Sequence, residues 1–384
     1  MSRTGPLEDL LVIDMTRVLA GPFAAMMLAD LGARVIKVER PGTGDDSRGY
    51  GPFAGDRSYY FARVNRGKES ISLDLHDEAD REVLLQLVDR ADVLVENFRP
   101  GVMARLGLSY ETLSARNPRL VYCSISGFGQ SGPWSTLPAY DAVVQGLSGI
   151  MAITGRPDGP PTKPGVPVAD LAGGIFGFSG IMAALHGRER TGKGDRVDIA
   201  MYDSMLALLE SAALQTLANG TAPSRIGNAH FSIAPFDTFP CADGDITICA
   251  ANDGLFRTLC EALGRPALAG DPRFATNSLR YEHRPELSAA IAAALAGGSK
   301  EHWLATLSAS GVPCGEVASV ETALGSEQTL ARNMVVEADG IKLPGNPMKL
   351  ASMEGHNSVD REPTIDEHGA AIRAWLSGSS GGGR

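Results

Sequence analysis

The sequence is poor in cysteine, and its cysteines form no framework. Five of its 384 residues are cysteines, and no two of them form a Cys-x-x-Cys pair. A disulfide scaffold or a zinc ribbon needs closely spaced pairs, so the sequence argues against both. We expect buried small apolar side chains in a reducing compartment at all five positions. These are Cys123, Cys241, Cys249, Cys260 and Cys314.

Several other signatures are also absent. No apolar run approaches the ~20 residues that cross a bilayer, and the N-terminal segment lacks a basic head and a cleavage site. The net charge of −10 disfavours nonspecific attraction to nucleic acid. Seven histidines show no His-x-x-x-His spacing, no Walker motif is present, and no Gly-x-Ser-x-Gly elbow presents a serine between a predicted strand and helix. We therefore expect a cytoplasmic protein with no metal centre and no contact with nucleic acid or membrane.

Glycine, in contrast, is abundant, with 45 residues, and one glycine-rich string resembles a nucleotide-binding fingerprint. Gly127-Phe128-Gly129-Gln130-Ser131-Gly132 follows a predicted strand. Pro133 and a polar turn come next, where the fingerprint needs a helix N-terminus. We interpret this string as a flexible loop near a site.

Strand and helix signals alternate through the first hundred residues, which predicts parallel strands with crossover helices. The chain then returns to a strand-and-helix pattern after a Gly/Pro/Ser/Thr-rich stretch near residue 220. We predict a large Rossmann-like α/β domain over residues 1–205, completed by residues 335–384, and a smaller α+β domain over residues 226–325. Linkers are expected near residues 206–225 and 326–334, and the Ser/Gly-rich end Leu376–Arg384 is expected to be disordered.

Because no motif supports a serine or a cysteine as a nucleophile, a carboxylate is the remaining candidate for catalysis. The best-placed acid is Asp170, which follows a proline-rich loop and opens a glycine-rich helical pattern. At a helix N-terminus the free N–H groups and the dipole favour a carboxylate, and they can also stabilise an oxyanion, here with Gly173 and Gly174 as expected donors. On position alone, Asp170 is either an ordinary helix cap or a nucleophile.

A series of motifs runs through nearly the whole chain in one order. They are Leu19-Ala20-Gly21-Pro22, Val35-Ile36-Lys37-Val38-Glu39-Arg40-Pro41, Ser72-Leu73-Asp74-Leu75, Val95-Glu96-Asn97-Phe98-Arg99-Pro100-Gly101, Tyr140-Asp141, Thr154-Gly155 with Gly159-Pro160-Pro161, and the block around Asp170. Together they resemble class III coenzyme A transferases, the CaiB/BaiF family. The resemblance implies that Asp170 is the nucleophile and that the protein is an interlocked homodimer. It also implies that coenzyme A or an acyl-CoA binds as a substrate and that no cofactor is permanently bound.

The same resemblance assigns coenzyme A binding to a set of residues in the large domain. They are Leu19, Ala20, Arg40, Leu73, Asn97, Phe98 and Arg105. Arg40 suits a phosphate by charge and by the fork geometry of its guanidinium group. One position departs from the family pattern, because His76 stands where a lysine is common, and this puts one phosphate contact in doubt.

Two alternatives to a transferase stay open. Acyl-CoA racemases of the same superfamily use a histidine that falls on Tyr140 here, and a tyrosine is a poor base at neutral pH. A non-catalytic acyl-CoA-binding protein would need Arg40 and Asn97 but not Asp170.

The segment before the predicted sheet of the small domain indicates the class of the acceptor acid. Asn228–Phe236 carries His230 and aromatic residues in place of a glycine run, and it resembles relatives that use succinyl-CoA and C4–C6 dicarboxylates such as itaconate, mesaconate, citramalate or glutarate. Arg225 and His230 could meet a distal carboxylate. Tyr140 and Asp141 are further candidates for contact with the substrate.

Overall fold

A computed structural model describes residues 5–355 and 359–378 of the chain. The chain divides into two compact units. The large unit comprises Met1–Gly149, Pro164–Leu208 and Ser326–Arg384, and the small unit comprises Ile150–Lys163 and Leu209–Gly325. The short segment Ile150–Lys163 belongs to the small unit, whereas the expected boundaries place it in the large domain. The expectation of disorder is wrong for Leu376–Gly378, which belong to the helix Gly369–Gly378. The rest of the Ser/Gly-rich end, from position 379 onward, lies outside the described residues.

Six parallel strands form the sheet of the large unit. They are β1 (Leu11–Asp14), β2 (Arg34–Glu39), β3 (Glu69–Ser72), β4 (Val93–Glu96), β5 (Val121–Ser126) and β6 (Arg196–Ala200). Their spatial order is β3-β2-β1-β4-β5-β6, and each neighbouring pair runs parallel. This is the strand order of doubly wound nucleotide-binding sheets, so the predicted Rossmann-like domain is confirmed.

The strand order reverses between β1 and β4. In open α/β sheets, ligands bind outside the carboxyl ends of the strands at such a reversal. The Met15 N–H donates to the Val95 carbonyl at 2.9 Å, which ties the ends of β1 and β4 together. The fold therefore directs attention to the loops that leave these strands.

Helices connect and flank the strands. They are α1 (Ala20–Asp30), α2 (Tyr59–Asn65), α3 (Glu78–Val88), α4 (Val102–Arg105), α5 (Tyr110–Arg116), α6 (Asp141–Leu147), α7 (Ile150–Ile153), α8 (Val168–Thr191), α9 (Met201–Leu208), α10 (Glu210–Asn219), α11 (Asp253–Ala262), α12 (Asn277–Glu282), α13 (Arg284–Leu295), α14 (Lys300–Ala309), α15 (Val320–Gly325), α16 (Glu327–Ala331) and α17 (Gly369–Gly378). The pattern over 140–153 predicts one helix, but the structure has two, because Gly149 between α6 and α7 adopts a φ of +89°.

The long helix α8 packs closely against both the sheet and α1. A Cβ atom on Gly174 would stand 2.8 Å from the Ala20 carbonyl oxygen, and one on Gly177 would stand 2.7 Å from the Ile125 side chain. Larger residues would therefore push the helix away from the sheet and from α1. The small residues of this helix therefore admit a close neighbour.

By length and composition, α8 could also cross a membrane, which is a feature the sequence patterns do not predict. It has 24 residues and a mean hydropathy of 1.6 over its most apolar window. One such helix is weak support for a membrane span, since core helices pass the same test. The contacts of α8 with α1 and Ile125 are those of a core helix, and the cytoplasmic location stays a prediction.

The small unit has its own sheet and core. Its strands are β7 (Phe236–Cys241), β8 (Gly244–Cys249) and β9 (Cys314–Glu316), which pair antiparallel in the order β9-β8-β7. Helices α11, α13 and α14 contribute Leu259, Ile291 and Leu307 to the core beside the sheet residues Ile246 and Ile248. The predicted α+β character is confirmed. A separate hairpin of β10 (Val335–Ala338) and β11 (Ile341–Pro344) belongs to the large unit.

All five cysteines are free. Cys123 and Cys260 are buried, whereas Cys241, Cys249 and Cys314 are only partly buried. The expectation of full burial is therefore wrong for three of them. Those three lie at the ends of strands in the small sheet, where the core no longer covers both faces.

Candidate active site

A cavity of about 590 Å³ opens at the carboxyl ends of the large sheet. Residues that end or follow β1, β2, β3 and β4 line it, as the reversal in strand order predicts. Four of the residues expected to bind coenzyme A lie together on its wall: Arg40, Leu73, Phe98 and Arg105. The structure thus brings together side chains from positions 65 residues apart.

The other three expected binding residues have different positions. Leu19 and Ala20 are buried where α1 begins, so any contact with a ligand there would use their backbone. Asn97 holds the loop after β1, because its side-chain oxygen accepts from the Arg17 N–H and its amide donates to the Arg17 carbonyl, both at 2.8 Å. That loop includes Val18, which adopts a φ of +68°. Asn97 is therefore not part of the cavity wall itself, but its side chain holds the backbone of Arg17, which is.

A buried ion pair fixes the floor of the cavity. Lys37 and Asp45 both line it, and their charged groups lie 2.9 Å apart with no side-chain exposure. Burial alone would raise the pKa of Asp45, but the Lys37 charge and the hydrogen bonds from Ser47 and Lys37 together outweigh it and lower that pKa to about 2. The Asp45 carboxylate also accepts from the Val18 N–H at 3.1 Å. One ionised carboxylate therefore connects β2 to the loop after β1.

The rim of the cavity is cationic. The sequence patterns single out Arg40 and Arg105, but they miss Arg17 and Arg81, which line the same cavity. Arg81 lies on α3, and only its basic charge near the start of that helix could have indicated it. His76 also lines the cavity, so the residue that replaces the family lysine faces the expected ligand.

Asp170 is the third residue of α8 and does not cap it. The cap position is Pro167, and the Asp170 carboxylate accepts no hydrogen bond from any residue within 5–355 and 359–378. The capping alternative for Asp170 is therefore wrong. The carboxylate is left at the positive end of the helix without a structural partner in the described chain.

Asp141 performs the capping that the sequence offers to Asp170. One of its carboxylate oxygens accepts from the Ala169 N–H at 2.9 Å and lies 3.4 Å from the Asp170 N atom. Its other oxygen accepts from the buried Gln145 amide at 2.6 Å. Asp141 is expected to contact the substrate, but in the structure its carboxylate caps α8. No motif indicates this role, because Asp141 and Ala169 are 28 residues apart in the sequence.

Burial and the nearby Asp141 charge raise the pKa of Asp170 to about 7. Burial and, after it, the Asp170 charge raise the pKa of the Tyr60 hydroxyl on α2, so the two groups interact electrostatically. The sequence analysis does not identify Tyr60, and no motif around this residue indicates a place in the site. A carboxyl group that titrates near neutral pH in a partly buried position is typical of functional sites.

Gly173 and Gly174 do not have the role expected of them. They are the sixth and seventh residues of α8, and only the first four N–H groups of a helix lack an intrahelical acceptor. Their value lies in packing, since a Cβ on Gly173 would stand 3.0 Å from the Met201 side chain. In the first turn, the Val168 and Leu171 N–H groups donate to backbone carbonyls, and Asp141 accepts from the Ala169 and Asp170 N–H groups. N–H groups for an oxyanion must therefore come from outside this turn.

Three candidates remain, namely Tyr140, Arg225 and His230. The Tyr140 side chain is 77% exposed at the start of α6. His230 and Arg225 belong to the small unit. There the His230 Nδ1 accepts from the Ser232 N–H at 3.1 Å, and its ring packs 5.2 Å from that of Phe236. Neutral His230 therefore carries its proton on Nε2, which can donate.

No group of three metal-ligating side chains stands close enough to hold an ion in the part of the chain that the structure describes. The glycine string at 127–132 leads into a turn, and the next helix, α6, begins only at Asp141. The interpretation of that string as a loop is confirmed.

Comparisons with known proteins agree with this architecture. The chain is 52% identical over 370 residues to an acetyl-CoA:oxalate CoA-transferase of Acetobacter aceti, covering 96% of this chain and 95% of the relative. It is 41% identical over 386 residues to a succinate–glutarate CoA-transferase of Agrobacterium fabrum, covering 98% and 96%. A crystal structure of a CaiB/BaiF family protein from Brucella suis superposes with a TM-score of 0.85 at 42% identity, over 97% of this chain and 99% of that one.

A family model described as CoA-transferase family III matches residues 7–369. Since this match and the relatives both span nearly the whole chain, the resemblance seen in the sequence motifs is confirmed. The protein belongs to CoA-transferase family III, the CaiB/BaiF family, and is an enzyme of that class.

Proposed function

We propose that Asp170 is the nucleophile through which this enzyme moves coenzyme A from an acyl-CoA donor to a carboxylic acid acceptor. The observation that carries the proposal is the free Asp170 carboxylate in the first turn of α8, while Asp141 caps that helix. Because Asp141 already caps the helix, Asp170 is not needed for capping. A covalent mechanism needs a carboxylate whose oxygens are available to attack the substrate.

The proposed chemistry proceeds through displacements at carbonyl carbons. An Asp170 oxygen attacks the thioester carbonyl, the C–S bond breaks, and coenzyme A leaves as a thiolate. That thiolate then attacks the Asp170 carbonyl of the mixed anhydride, which releases the donor acid and leaves an aspartyl-CoA thioester. An acceptor carboxylate repeats these steps in reverse. The thioester energy is conserved as long as water is kept from the intermediates.

Coenzyme A is proposed to occupy the cavity at the ends of β1–β4. Arg40 and Arg105 supply cationic partners for phosphate groups, and Leu73 and Phe98 supply apolar contacts. Gly174 packs against Ala20, so the start of α1 connects the cavity loop to the first turns of α8. In this proposal no resident metal or cofactor takes part, because each step is a displacement that the substrates and Asp170 can complete.

Protonation of Asp170 should control the rate. The carboxylate is the nucleophilic form, so kcat/KM for the acyl-CoA should rise with pH through a limb near pH 7, where burial and Asp141 place the pKa of Asp170. Asp141→Asn keeps a cap but removes one negative charge, so the limb should move to lower pH while burial holds it above the ordinary range for Asp. The measurement is kcat/KM from pH 5 to 9 for both proteins.

The control is Asp170→Ala, which should lose at least about a thousandfold in kcat. If that variant retains a near-normal rate, the nucleophile assignment fails. A variant that binds coenzyme A tightly is compatible with the proposal, but a wild-type protein that binds coenzyme A and exchanges no thioester with any acid would support the non-catalytic alternative.

We further propose dicarboxylic acids as donor and acceptor. Two relatives carry names that include oxalate and glutarate, both of which are diacids. The first name also includes acetyl-CoA, whose acid is a monocarboxylate, so a diacid donor is supported by the second name alone. A C4–C6 diacid is our prediction from the Asn228–Phe236 segment, and oxalate is the competing chain length. His230 is proposed to donate from Nε2 to the second carboxylate, since its Nδ1 is already occupied as an acceptor.

A monocarboxylate should then be a poor acceptor. It would leave the group that recognises the second carboxylate unpaired, at a cost of about 2–4 kcal/mol, or roughly 30- to 900-fold in kcat/KM. We expect glutarate, mesaconate, citramalate or itaconate to exceed acetate and butyrate by that factor, and His230→Ala to compress the difference. Equal rates with butyrate would overturn the diacid proposal, and oxalate as the best acceptor would overturn the C4–C6 prediction alone.

The proposed enzyme is a homodimer, and probing its subunits can test the interlocked form that the family resemblance implies. Large apolar side chains stay exposed in the single chain, among them Leu217 at 83% and Val320 at 76%. The proposed interlocked dimer would remove such side chains from water. Light scattering should give twice the chain mass, and tagged and untagged dimers should not mix on co-incubation. A monomer would contradict the dimer, and rapid mixing would contradict the interlocking.

A further inference from the structure

One acidic residue at the rim of the coenzyme A cavity holds two of the cations that face it. The Asp46 carboxylate places one oxygen 3.2 Å from the Arg17 guanidinium and the other 2.9 Å from the Arg40 guanidinium. Both arginines line the cavity. Each oxygen of Asp46 thus serves a different arginine, and the carboxylate bridges them.

The fold does not require this bridge. The side chains of Arg17, Arg40 and Asp46 are 42%, 57% and 43% exposed, and ion pairs with this exposure contribute little to folding. The turn that begins at Asp46 is capped by the neighbouring Asp45, whose carboxylate accepts from the Ser47 N–H at 2.9 Å. Asp45 also holds the Val18 N–H. Asp46 is therefore free to change partners without loosening the loop.

A carboxylate and a phosphate group compete for the same donors. Guanidinium groups bind both through N–H groups of one fork, and a doubly charged phosphate binds more strongly than a carboxylate. Where Asp46 bridges Arg17 and Arg40, part of their hydrogen-bonding capacity is already used. A phosphate that enters the rim must displace the Asp46 carboxylate from at least one of them.

We propose that Asp46 is an internal competitor for the phosphate groups of coenzyme A and that it sets the affinity of this rim. The inference rests on the proposed function, because it takes the cavity to be the coenzyme A site. The proposed reaction releases one acyl-CoA in every cycle, so a rim that bound phosphate without competition would retain the product. Asp46 weakens binding and thereby speeds this exchange.

The test is the affinity for coenzyme A when the charge of Asp46 is removed. Asp46→Asn keeps the size of the side chain and abolishes its competition, so the Kd for coenzyme A by calorimetry at low ionic strength should fall about three- to tenfold, the worth of one or two exposed ion pairs. Affinity for pantetheine, which has no phosphate, should not change. Added salt should reduce the advantage of the variant, because exposed charges are screened.

Two controls separate competition from general charge effects. Glu189→Gln removes one negative charge from a side chain that is 72% exposed near the far end of α8, and its Kd for coenzyme A should stay within twofold of the wild type. Asp46→Glu keeps the charge and should bind like the wild type. Thermal unfolding of Asp46→Asn should match that of the wild type, which confirms that the change is local.

The outcomes distinguish this inference from the function on which it rests. If the wild type binds coenzyme A and Asp46→Asn binds it equally or more weakly, Asp46 orders the arginines instead of competing for them, and the inference is wrong. An equal gain by Glu189→Gln, or a gain for pantetheine, would also overturn it. If the wild type binds no coenzyme A, the proposed function fails and takes this inference with it.

Discussion

The capping of α8 by Asp141 is the interaction on which the rest of the proposed site depends. Its carboxylate accepts from the Ala169 N–H, which lies in the first turn and has no acceptor within the helix. Asp170 is thereby released from capping, and its oxygens can face a substrate. The same Asp141 charge adds to burial in raising the pKa of Asp170 to about 7. One side chain thus shapes the helix end and adjusts the basicity of its neighbour.

Gln145 supports this arrangement from the buried side of α6. Its amide nitrogen donates to Asp141 at 2.6 Å, and its side-chain oxygen is buried with no partner in the described chain. An amide can rotate to offer either group, so Gln145 can serve a neutral as well as an ionised partner at position 141. Gly174 lets α8 pack closely against Ala20 at the start of α1, directly after the loop that lines the cavity. The capping residue Asp141, Asp170 and the cavity loop therefore belong to one packed unit.

The sequence predicts the parts of this unit that depend on local pattern. Apolar runs and helix signals indicate the parallel strands, and ordered motifs indicate Arg40, Leu73, Phe98 and Asp170. It does not predict which residues meet across the fold. Asp141 caps a helix 28 residues away, and Asn97 holds a backbone segment 80 residues away. Such contacts arise from the strand order 3-2-1-4-5-6, and no local pattern encodes them. The role expected of Gly173 and Gly174 failed for a related reason, since it overlooked how far inside α8 they would lie.

Mass spectrometry of the enzyme with succinyl-CoA, and without an acceptor, tests the central claim most directly. Acid quenching followed by proteolysis should place coenzyme A on the peptide that contains Asp170, with the mass of a thioester formed by loss of water between carboxyl and thiol. Hydroxylamine should remove the label, and the label should be absent from Asp170→Ala. An active enzyme that shows no label at Asp170, or carries it on another residue, would contradict the account.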